Sequence, residues 1–290
     1  MALNDCRGIP VSTSNRTLLA KYEQAVELSA GYFLDPFATI QAALEEDPTF
    51  AAAHCFRAGL IVTATDRSLV PILGESVAAV EALGRRANER ERAHIAAARK
   101  WLEGAFAGSV RAYGDILLDY PRDLFALQVA HVGDFFLGAS TMLRDRIAQV
   151  LPHWDANTPG YGYVLGMHAF GLEETALYAR TEDTGRRALE INRGDPWAIH
   201  AVTHVMEMQG RVRDGIEWLG SRENDWSRDN GFAFHNWWHS ALFHLDLGEV
   251  QHAIDLYDRR IRPTPSQVPL EMIDASALLW RLELRDVDVG

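Results

Sequence analysis

Cysteine is one of the rarest residues in this chain. Only Cys6 and Cys55 occur among its 290 residues. Two thiols can build neither a disulfide framework nor a four-thiolate zinc site. Asn4 and Asp5 stand where a signal peptide needs cations and an apolar core. We therefore expect a protein of the reducing cytoplasm.

Long apolar runs and basic charge are also scarce. No apolar run approaches the roughly 20 residues that a helix needs to span a bilayer, so we expect a soluble protein without a membrane partner. The 28 Lys and Arg residues are outnumbered by 40 Asp and Glu residues, which gives a net charge of -12 at pH 7. A field of this sign repels phosphate backbones, so we expect no nucleic-acid partner.

Strand signals are nearly absent, because the chain has few alternating runs of Val, Ile and Thr and few Asn-Gly hairpin turns. Helical signals are frequent instead. Ala-rich amphipathic stretches of ordinary helix length occupy residues 38–46, 75–87, 90–102, 109–118 and 252–261. Asp35-Pro36 is typical of a helix start and Asp47-Pro48 of a helix end. The chain is therefore predicted to be all-α and built from helical hairpins.

Turn signals recur at regular intervals. Four glycines that suit a helix-to-helix turn are Gly104, Gly138, Gly210 and Gly248. They are separated by 34, 72 and 38 residues, and the middle gap divides into 38 and 34 at Ala176. Backward extrapolation places further turns near Asp66 and Tyr32. This alternation predicts about seven helix–turn–helix units in one α-solenoid domain over residues 1–290, coiled as a right-handed superhelix.

A small residue stands five positions after three of these turns, at Ser109, Gly215 and Ala253. It must be small so that the second helix of the hairpin packs closely on the first. This pattern, the Ala-Leu-Glu-Ile string at 188–191 and the Tyr-Pro pair at 120–121 resemble the tetratricopeptide repeat. The units that are four residues longer depart from it.

Three longer strings carry a closer resemblance. They are Ala-Phe-Gly-Leu-Glu-Glu at 169–174, Ala-Ile-His-Ala-Val-Thr-His-Val-Met-Glu-Met-Gln-Gly at 198–210, and Asn-Gly-Phe-Ala-Phe-His-Asn-Trp-Trp-His at 230–239. Over essentially the whole chain the sequence resembles the tetratricopeptide repeat protein 38 family, which implies an all-helical solenoid and lends no biochemical activity. Members are usually longer at the C-terminus, so a truncated or divergent cap after residues 275–284 is a further expectation.

The candidate site consists of imidazole, carboxylate and indole groups on the first helices of three consecutive units, which line the concave face of such a repeat. Its members are His168 and Glu173, then His200, His204 and Glu207, then His235, Trp238 and His239. Residues three and four apart share one helical stripe, so the second and third groups are predicted to face each other across a pocket. Two imidazoles and a carboxylate at this spacing suit one divalent cation.

Three interpretations of this cluster stay open. It is a contact site for a ligand, a metal or acid–base site, or a structural network in which Glu207 pairs with Arg211. Ala201 stands where the metalloprotease motif needs a glutamate, which argues against that mechanism. No catalytic residue, metal ligand or cofactor is assigned from the sequence.

Other patterns indicate packing rather than chemistry. Residues 160–166 are rich in glycine, but Pro159 leads directly into a helix instead of following a strand. His54 and Cys55 are adjacent and point about 100° apart on a helix, which prevents a nucleophile–base pair. A dense aromatic group is predicted to be core, with a stacking wall for a ligand as the alternative. Its members are Trp226, Phe232, Phe234, Trp237 and Trp238.

The sequence therefore predicts a scaffold that binds a peptide, a protein partner or a small polar ligand in its concave groove. The alternative is an enzyme or metal-dependent binder that uses the histidine and glutamate cluster. Formation of a homo-oligomer is a further prediction, because apolar side chains of the C-terminal segment have no following helix to cover them. They are Met272, Ile273, Leu278, Leu279, Trp280 and Leu282.

Overall fold

A computed structural model describes residues 2–64, 66–266 and 268–289 of the chain. The described residues form sixteen α-helices. The first eight are α1 (Arg16–Ala30), α2 (Pro36–Glu46), α3 (Ala51–Ala64), α4 (Val70–Leu83), α5 (Glu89–Leu102), α6 (Phe106–Asp119), α7 (Leu124–Phe136) and α8 (Ser140–Val150). The others are α9 (Tyr161–Glu173), α10 (Tyr178–Ile191), α11 (Pro196–Met208), α12 (Val212–Ser221), α13 (Glu223–Trp226), α14 (Ala233–Asp246), α15 (Val250–Leu256) and α16 (Pro269–Glu283).

The prediction of an all-α chain is confirmed, with one small addition. A two-stranded antiparallel ladder pairs β1 (Leu3–Asn4) with β2 (Pro10–Val11) at the N-terminus. Within the described ranges, none of the helices combines the length and the apolar character needed to cross a bilayer.

Two of the predicted helical stretches end differently from the expectation. The stretch at 75–87 is wrong at its end, because α4 stops at Leu83 and a 3₁₀ turn over Gly84–Arg86 follows. Gly84 has a φ of +55°, a left-handed conformation that an α-helix cannot continue through. The stretch at 252–261 is α-helical only to Leu256 and continues as a π-helical turn over Tyr257–Ile261.

The four predicted turn glycines are confirmed. They adopt φ values of +80°, +65°, +66° and +78°, in the order Gly104, Gly138, Gly210 and Gly248. Each helix ends in a Schellman motif, in which two backbone N–H groups return to carbonyls of the last turn. At α11, the Gly210 N–H donates to the Glu207 carbonyl at 3.0 Å, and the next N–H donates to Met206 at 2.8 Å.

Two of the three predicted turns without glycine follow the same geometry, and the turn at Asp66 does not, because Asp66 has a φ of −86°. Tyr32 and Ala176, both expected near turns, have φ values of +57° and +59°. Asp66 lies between α3 and α4, where its side chain caps a 3₁₀ turn. Asp286 has a φ of +59° and stands 38 residues after Gly248, at a position where no turn was predicted. Helix α16 is therefore the first helix of an eighth unit.

Close packing of helices explains the small residues five positions after the turns, but the helix that packs on Gly215 is not the predicted one. A Cβ added to Gly215 on α12 would lie 2.3 Å from ring atoms of Phe243 on α14. The small residue therefore admits the first helix of the following unit, not the other helix of its own hairpin. Ser109 and Ala253 are fully buried in the same way.

Hydrophobic packing is continuous along the array. One core of buried side chains extends from Val11 to Phe243, and a second, smaller core collects residues between Ala241 and Leu282. Trp237 packs against both cores. The last units are therefore joined to the rest of the array by side-chain contacts as well as by the backbone.

A contact between distant parts of the chain, here called the clasp, joins residues 31–34 to residues 229–231. The Gly231 N–H donates to the Tyr32 carbonyl at 2.7 Å, and the Leu34 N–H donates to the Asp229 carbonyl at 3.0 Å. The side-chain amide of Asn230 donates to the carbonyl of Gly31 at 2.9 Å. The clasp links the first hairpin to the connection before α14.

The C-terminal apolar segment is only partly exposed. Leu278 and Leu282 are buried against the preceding unit, so the expectation that they lie uncovered is wrong. Ile273 and Trp280 remain exposed, at 59% and 63% of their surface. Self-association through this helix stays a prediction.

The left-handed turns make a specific stability prediction. Replacing Gly210 with Ala puts a Cβ on a residue with a φ of +66°, so the free energy of unfolding should fall by about 1–2 kcal/mol. Gly74 in the middle of α4 has open space around the site of a Cβ and no left-handed backbone. Gly74→Ala should therefore raise the free energy of unfolding by about 0.5–1 kcal/mol. Chemical denaturation followed by circular dichroism measures both variants, and equal effects would contradict the turn assignment.

Candidate functional site

Helices α11 and α14 supply the imidazoles of the site. Helix α11 has a defined start, because Pro196 occupies its first turn and the Asp195 carboxylate accepts hydrogen bonds from the N–H groups of Trp197 and Ala198. From this start, positions 200 and 204 share one side of the helix, one turn apart. Positions 235 and 239 have the same relation on α14. The two pairs face each other where these helices pack.

Four imidazole rings meet at this point through their Nε2 atoms. His200 Nε2 lies 2.9 Å from His235 Nε2, and His204 Nε2 lies 3.0 Å from His239 Nε2. His235 and His239 are 3.2 Å apart through the same atoms. One ring nitrogen from each of the four lies within 4.8 Å of the others. We call these residues the imidazole cluster.

In three of the four rings, the Nδ1 atom on the side away from the cluster centre contacts a carboxylate. His204 Nδ1 lies 3.1 Å from Glu173, and His239 Nδ1 lies 2.7 Å from Glu207. His235 Nδ1 lies 2.6 Å from Asp274, which comes from α16. A carboxylate on Nδ1 keeps a proton there and fixes the orientation of the ring. The cluster therefore presents Nε2 toward its centre.

Burial sets the charge of the cluster. His200 and His239 are almost fully buried, and loss of hydration lowers the pKa of both imidazoles well below the ordinary value. Repulsion by the neighbouring imidazoles lowers these pKa values further. Burial also raises the pKa of Glu207 above its ordinary range. The environment therefore favours neutral rings at His200 and His239.

An aromatic cavity opens in front of the imidazole cluster. Its volume is about 680 Å³. Its walls come from the connection between α1 and α2 and from α7, α9, α11, α14 and α16. Phe170, Phe232 and Trp238 line it beside the histidines. A second apolar cavity of about 360 Å³ shares Tyr32 and Val132 with it. Both cavities lie beside the clasp.

The aromatic group of the sequence divides between two uses. Trp226 is buried and packs against Trp237, with ring centroids 4.7 Å apart. Phe232, Phe234 and Trp238 line the cavity instead. The core interpretation therefore describes the first two residues, and the wall interpretation describes the other three.

The structure brings together seven of the eight side chains selected from the sequence. They are Glu173, His200, His204, Glu207, His235, Trp238 and His239. His168 does not join them. It is buried on α9 without contributing to the cavity wall, and burial together with Arg180 and Arg144 lowers its pKa to about 4.

Several details differ from the sequence-based interpretation. Glu207 contacts His239 Nδ1 at 2.7 Å, so the pairing with Arg211 that the sequence left open does not form. Arg211 instead binds Glu182 at 2.7 Å. Asp274 was missed. The only signal for it is the repeat itself, because position 274 follows His235 by 39 residues and falls on the first helix of the next unit.

The other patterns are structural, as expected. Gly160 precedes α9 in a left-handed conformation, so residues 160–166 begin a helix and do not form a dinucleotide loop. Cys55 lies buried with its thiol 3.3 Å from the Glu91 carbonyl, while His54 contacts the Pro48 carbonyl. The thiol and the imidazole therefore point to different partners.

A comparison of the chain with models of known protein families finds no match.

The start of α11 gives a prediction for the pH dependence of stability. One oxygen of the buried Asp195 carboxylate has no hydrogen-bond partner among the described residues, and burial raises the pKa of Asp195 from 3.8 to about 7. Between these values the folded chain holds a proton that the unfolded chain has lost. The free energy of unfolding should therefore decrease as the pH rises from about 4 to about 7, by about 4 kcal/mol in total.

Asp195→Asn removes this titration and keeps a capping oxygen. The difference in unfolding free energy between variant and wild type should therefore shift in the variant's favour over that pH range. Other titrating groups cancel in the difference. Denaturation curves at a series of pH values measure it, and a constant difference would show that Asp195 stays ionised in the folded protein.

Proposed function

We propose that this protein binds a small, largely apolar molecule with one polar group in the cavity of its helical array. The observation that carries the proposal is the wall of the cavity, which has aromatic rings on several sides and four imidazoles at one end. Cavities of several hundred Å³ with mostly apolar walls and a few convergent polar groups are typical of small-molecule sites. The apolar part of the ligand lies against Phe170 and Phe232, and its polar group faces the imidazoles.

The access to the imidazoles supports this orientation. The side chains of His204 and His235 are 23% and 22% exposed, whereas His239 is nearly covered. A polar group that enters from the cavity therefore reaches His204 and His235 first. The sequence left a peptide, a protein partner or a small polar ligand open, and the aromatic wall favours instead a small ligand with a substantial apolar part.

An extended peptide is the weaker candidate. Open solenoids bind peptides along an uninterrupted concave groove. Here Tyr32 and Gly231 of the clasp line the cavity on one side, and α16 contributes Leu270, Ile273 and Asp274 to its wall. A space of about 680 Å³ with these boundaries suits a compact molecule better than a long chain.

We infer that the hairpins coil as a right-handed superhelix of the tetratricopeptide type, as the resemblance to the tetratricopeptide repeat protein 38 family implies. The shared left-handed turns and the spacing of either 34 or 38 residues between them support one repeating unit. Residues 1–290 then act as one binding domain in the cytoplasm, where the unpaired thiols of Cys6 and Cys55 stay reduced.

An enzyme is the second candidate function, and the pairs formed by imidazole and carboxylate favour it. His204 with Glu173 and His239 with Glu207 have the geometry in which a carboxylate orients an imidazole that exchanges protons. Turnover of a cavity ligand, lost in His204→Gln while that ligand still binds, would distinguish this function from binding alone.

The binding proposal predicts uptake of a neutral aromatic probe. N-phenyl-1-naphthylamine should bind the purified protein with a rise in fluorescence, because the cavity offers an apolar site for its rings. Met208 lies at the cavity and is 62% exposed. Met208→Trp should fill part of the cavity and weaken binding of the probe roughly tenfold, which corresponds to about 1.4 kcal/mol.

Met142→Trp on α8 is the matched control, because Met142 is 40% exposed and is not part of the cavity wall. This variant should bind the probe as the wild type does. Equal binding by wild type, Met208→Trp and Met142→Trp would show that the probe binds elsewhere on the protein and would contradict the proposed site.

A further inference from the structure

We propose that the imidazole cluster binds one divalent transition-metal ion of the zinc class through the four Nε2 atoms. The ligands are His200, His204, His235 and His239. This inference goes beyond the proposed function, because it concerns a resident ion and does not depend on a molecule in the cavity.

The positions of the protons are the first argument for a cation. His204, His235 and His239 direct Nδ1 at a carboxylate, so Nδ1 carries the proton and a neutral ring has only a lone pair on Nε2. These lone pairs face one another at 3.0 and 3.2 Å. Such an arrangement is repulsive unless a proton or a cation lies between the nitrogens.

Protons alone do not satisfy the cluster. A second proton on His239 would place an imidazolium charge on a side chain that is only 3% exposed, and burial of a charge is costly. His239 Nε2 also lies next to both His204 and His235, whereas one N–H can donate along only one of these directions. A metal ion accepts all four lone pairs at once.

The distances agree with this assignment. With zinc–nitrogen bonds of about 2.0–2.1 Å, tetrahedral ligand atoms lie about 3.4 Å apart. Three of the six separations in the cluster are 2.9, 3.0 and 3.2 Å, and all six are within 4.8 Å. At these three pairs, outward movements of a few tenths of an ångström give the spacing of a tetrahedral ligand set.

The surrounding carboxylates supply the outer shell that a histidine-bound metal normally has. Glu173, Glu207 and Asp274 each hold the Nδ1 atom of one ligand ring. Such partners orient the ring and increase its basicity. Their negative charges also offset the double positive charge that four neutral ligands leave unbalanced.

The donor set selects the class of ion. Imidazole nitrogens suit zinc, copper, iron and nickel, whereas calcium and magnesium need oxygen ligands. Four ring nitrogens without a thiolate exclude a cysteine-type zinc site here. Zinc is the reference ion for the test, and cobalt is its spectroscopic substitute.

The test uses the full chain without a histidine tag. Native mass spectrometry and elemental analysis should find one transition-metal ion per chain after loading with Zn²⁺. Metal-free protein titrated with Co²⁺ should develop the visible absorption of tetrahedral cobalt. His239→Ala should abolish that absorption, while His168→Ala should keep it, since His168 is equally buried but lies outside the cluster.

Two carboxylate variants keep the proposal testable if His239→Ala does not fold. Glu207 is one-third exposed, so Glu207→Ala should fold and weaken Zn²⁺ binding about 10–100-fold. Glu174 belongs to a different potential group, with Glu173 and His204. Glu174→Ala should bind Zn²⁺ as the wild type does, and its loss of metal would place the ion at that group instead.

Three further results would overturn the proposal. They are wild-type protein that takes up no Zn²⁺ or Co²⁺, full cobalt absorption in folded His239→Ala, and equal losses in His239→Ala and His168→Ala. Binding of N-phenyl-1-naphthylamine by metal-free protein is measured separately. A negative metal result with intact probe binding therefore refutes the metal centre alone.

Discussion

A left-handed residue at the end of most of the first helices is the constraint on which the rest of the molecule depends. It stops the helix, satisfies two of its last carbonyls and turns the chain back at a fixed angle. Repetition of this turn at Gly104, Gly138, Gly210 and Gly248 places equivalent helices side by side. The site follows directly, since His200 and His204 meet His235 and His239 across 35 residues of sequence.

The repeat and most of the site could be predicted because both are periodic. Glycine is the residue that tolerates a positive φ, so turns that contain it are visible in the sequence. Histidines four residues apart on successive first helices are equally visible, and equal spacing implies equal position. His168 does not follow this spacing, since it precedes His200 by 32 residues and has no histidine four residues away, and it lies outside the cavity wall.

The remaining features depend on contacts that no local pattern encodes. Asp274 reaches His235 only because α16 packs beside α14. The pairing of Glu207 was equally ambiguous, since Arg211 is four residues away and His239 is closer only in three dimensions. Gly215 was recognised as a close-packing residue, but its partner, Phe243, belongs to the following unit. Side-chain partners across units require the angle between helices, which depends on many packed residues at once.

The clasp changes how such an array responds to disturbance. In an ordinary solenoid each unit touches only its neighbours, so the ends unravel independently and stability is nearly a sum of local terms. Here residues 31–34 are bonded to residues 229–231, and the backbone of the first hairpin closes a loop through six units. Opening of the chain on either side of the clasp removes these hydrogen bonds from the other side, so we expect the two parts to unfold together. Tyr32 and Gly231 both line the cavity, whose wall is therefore complete only when both parts are folded.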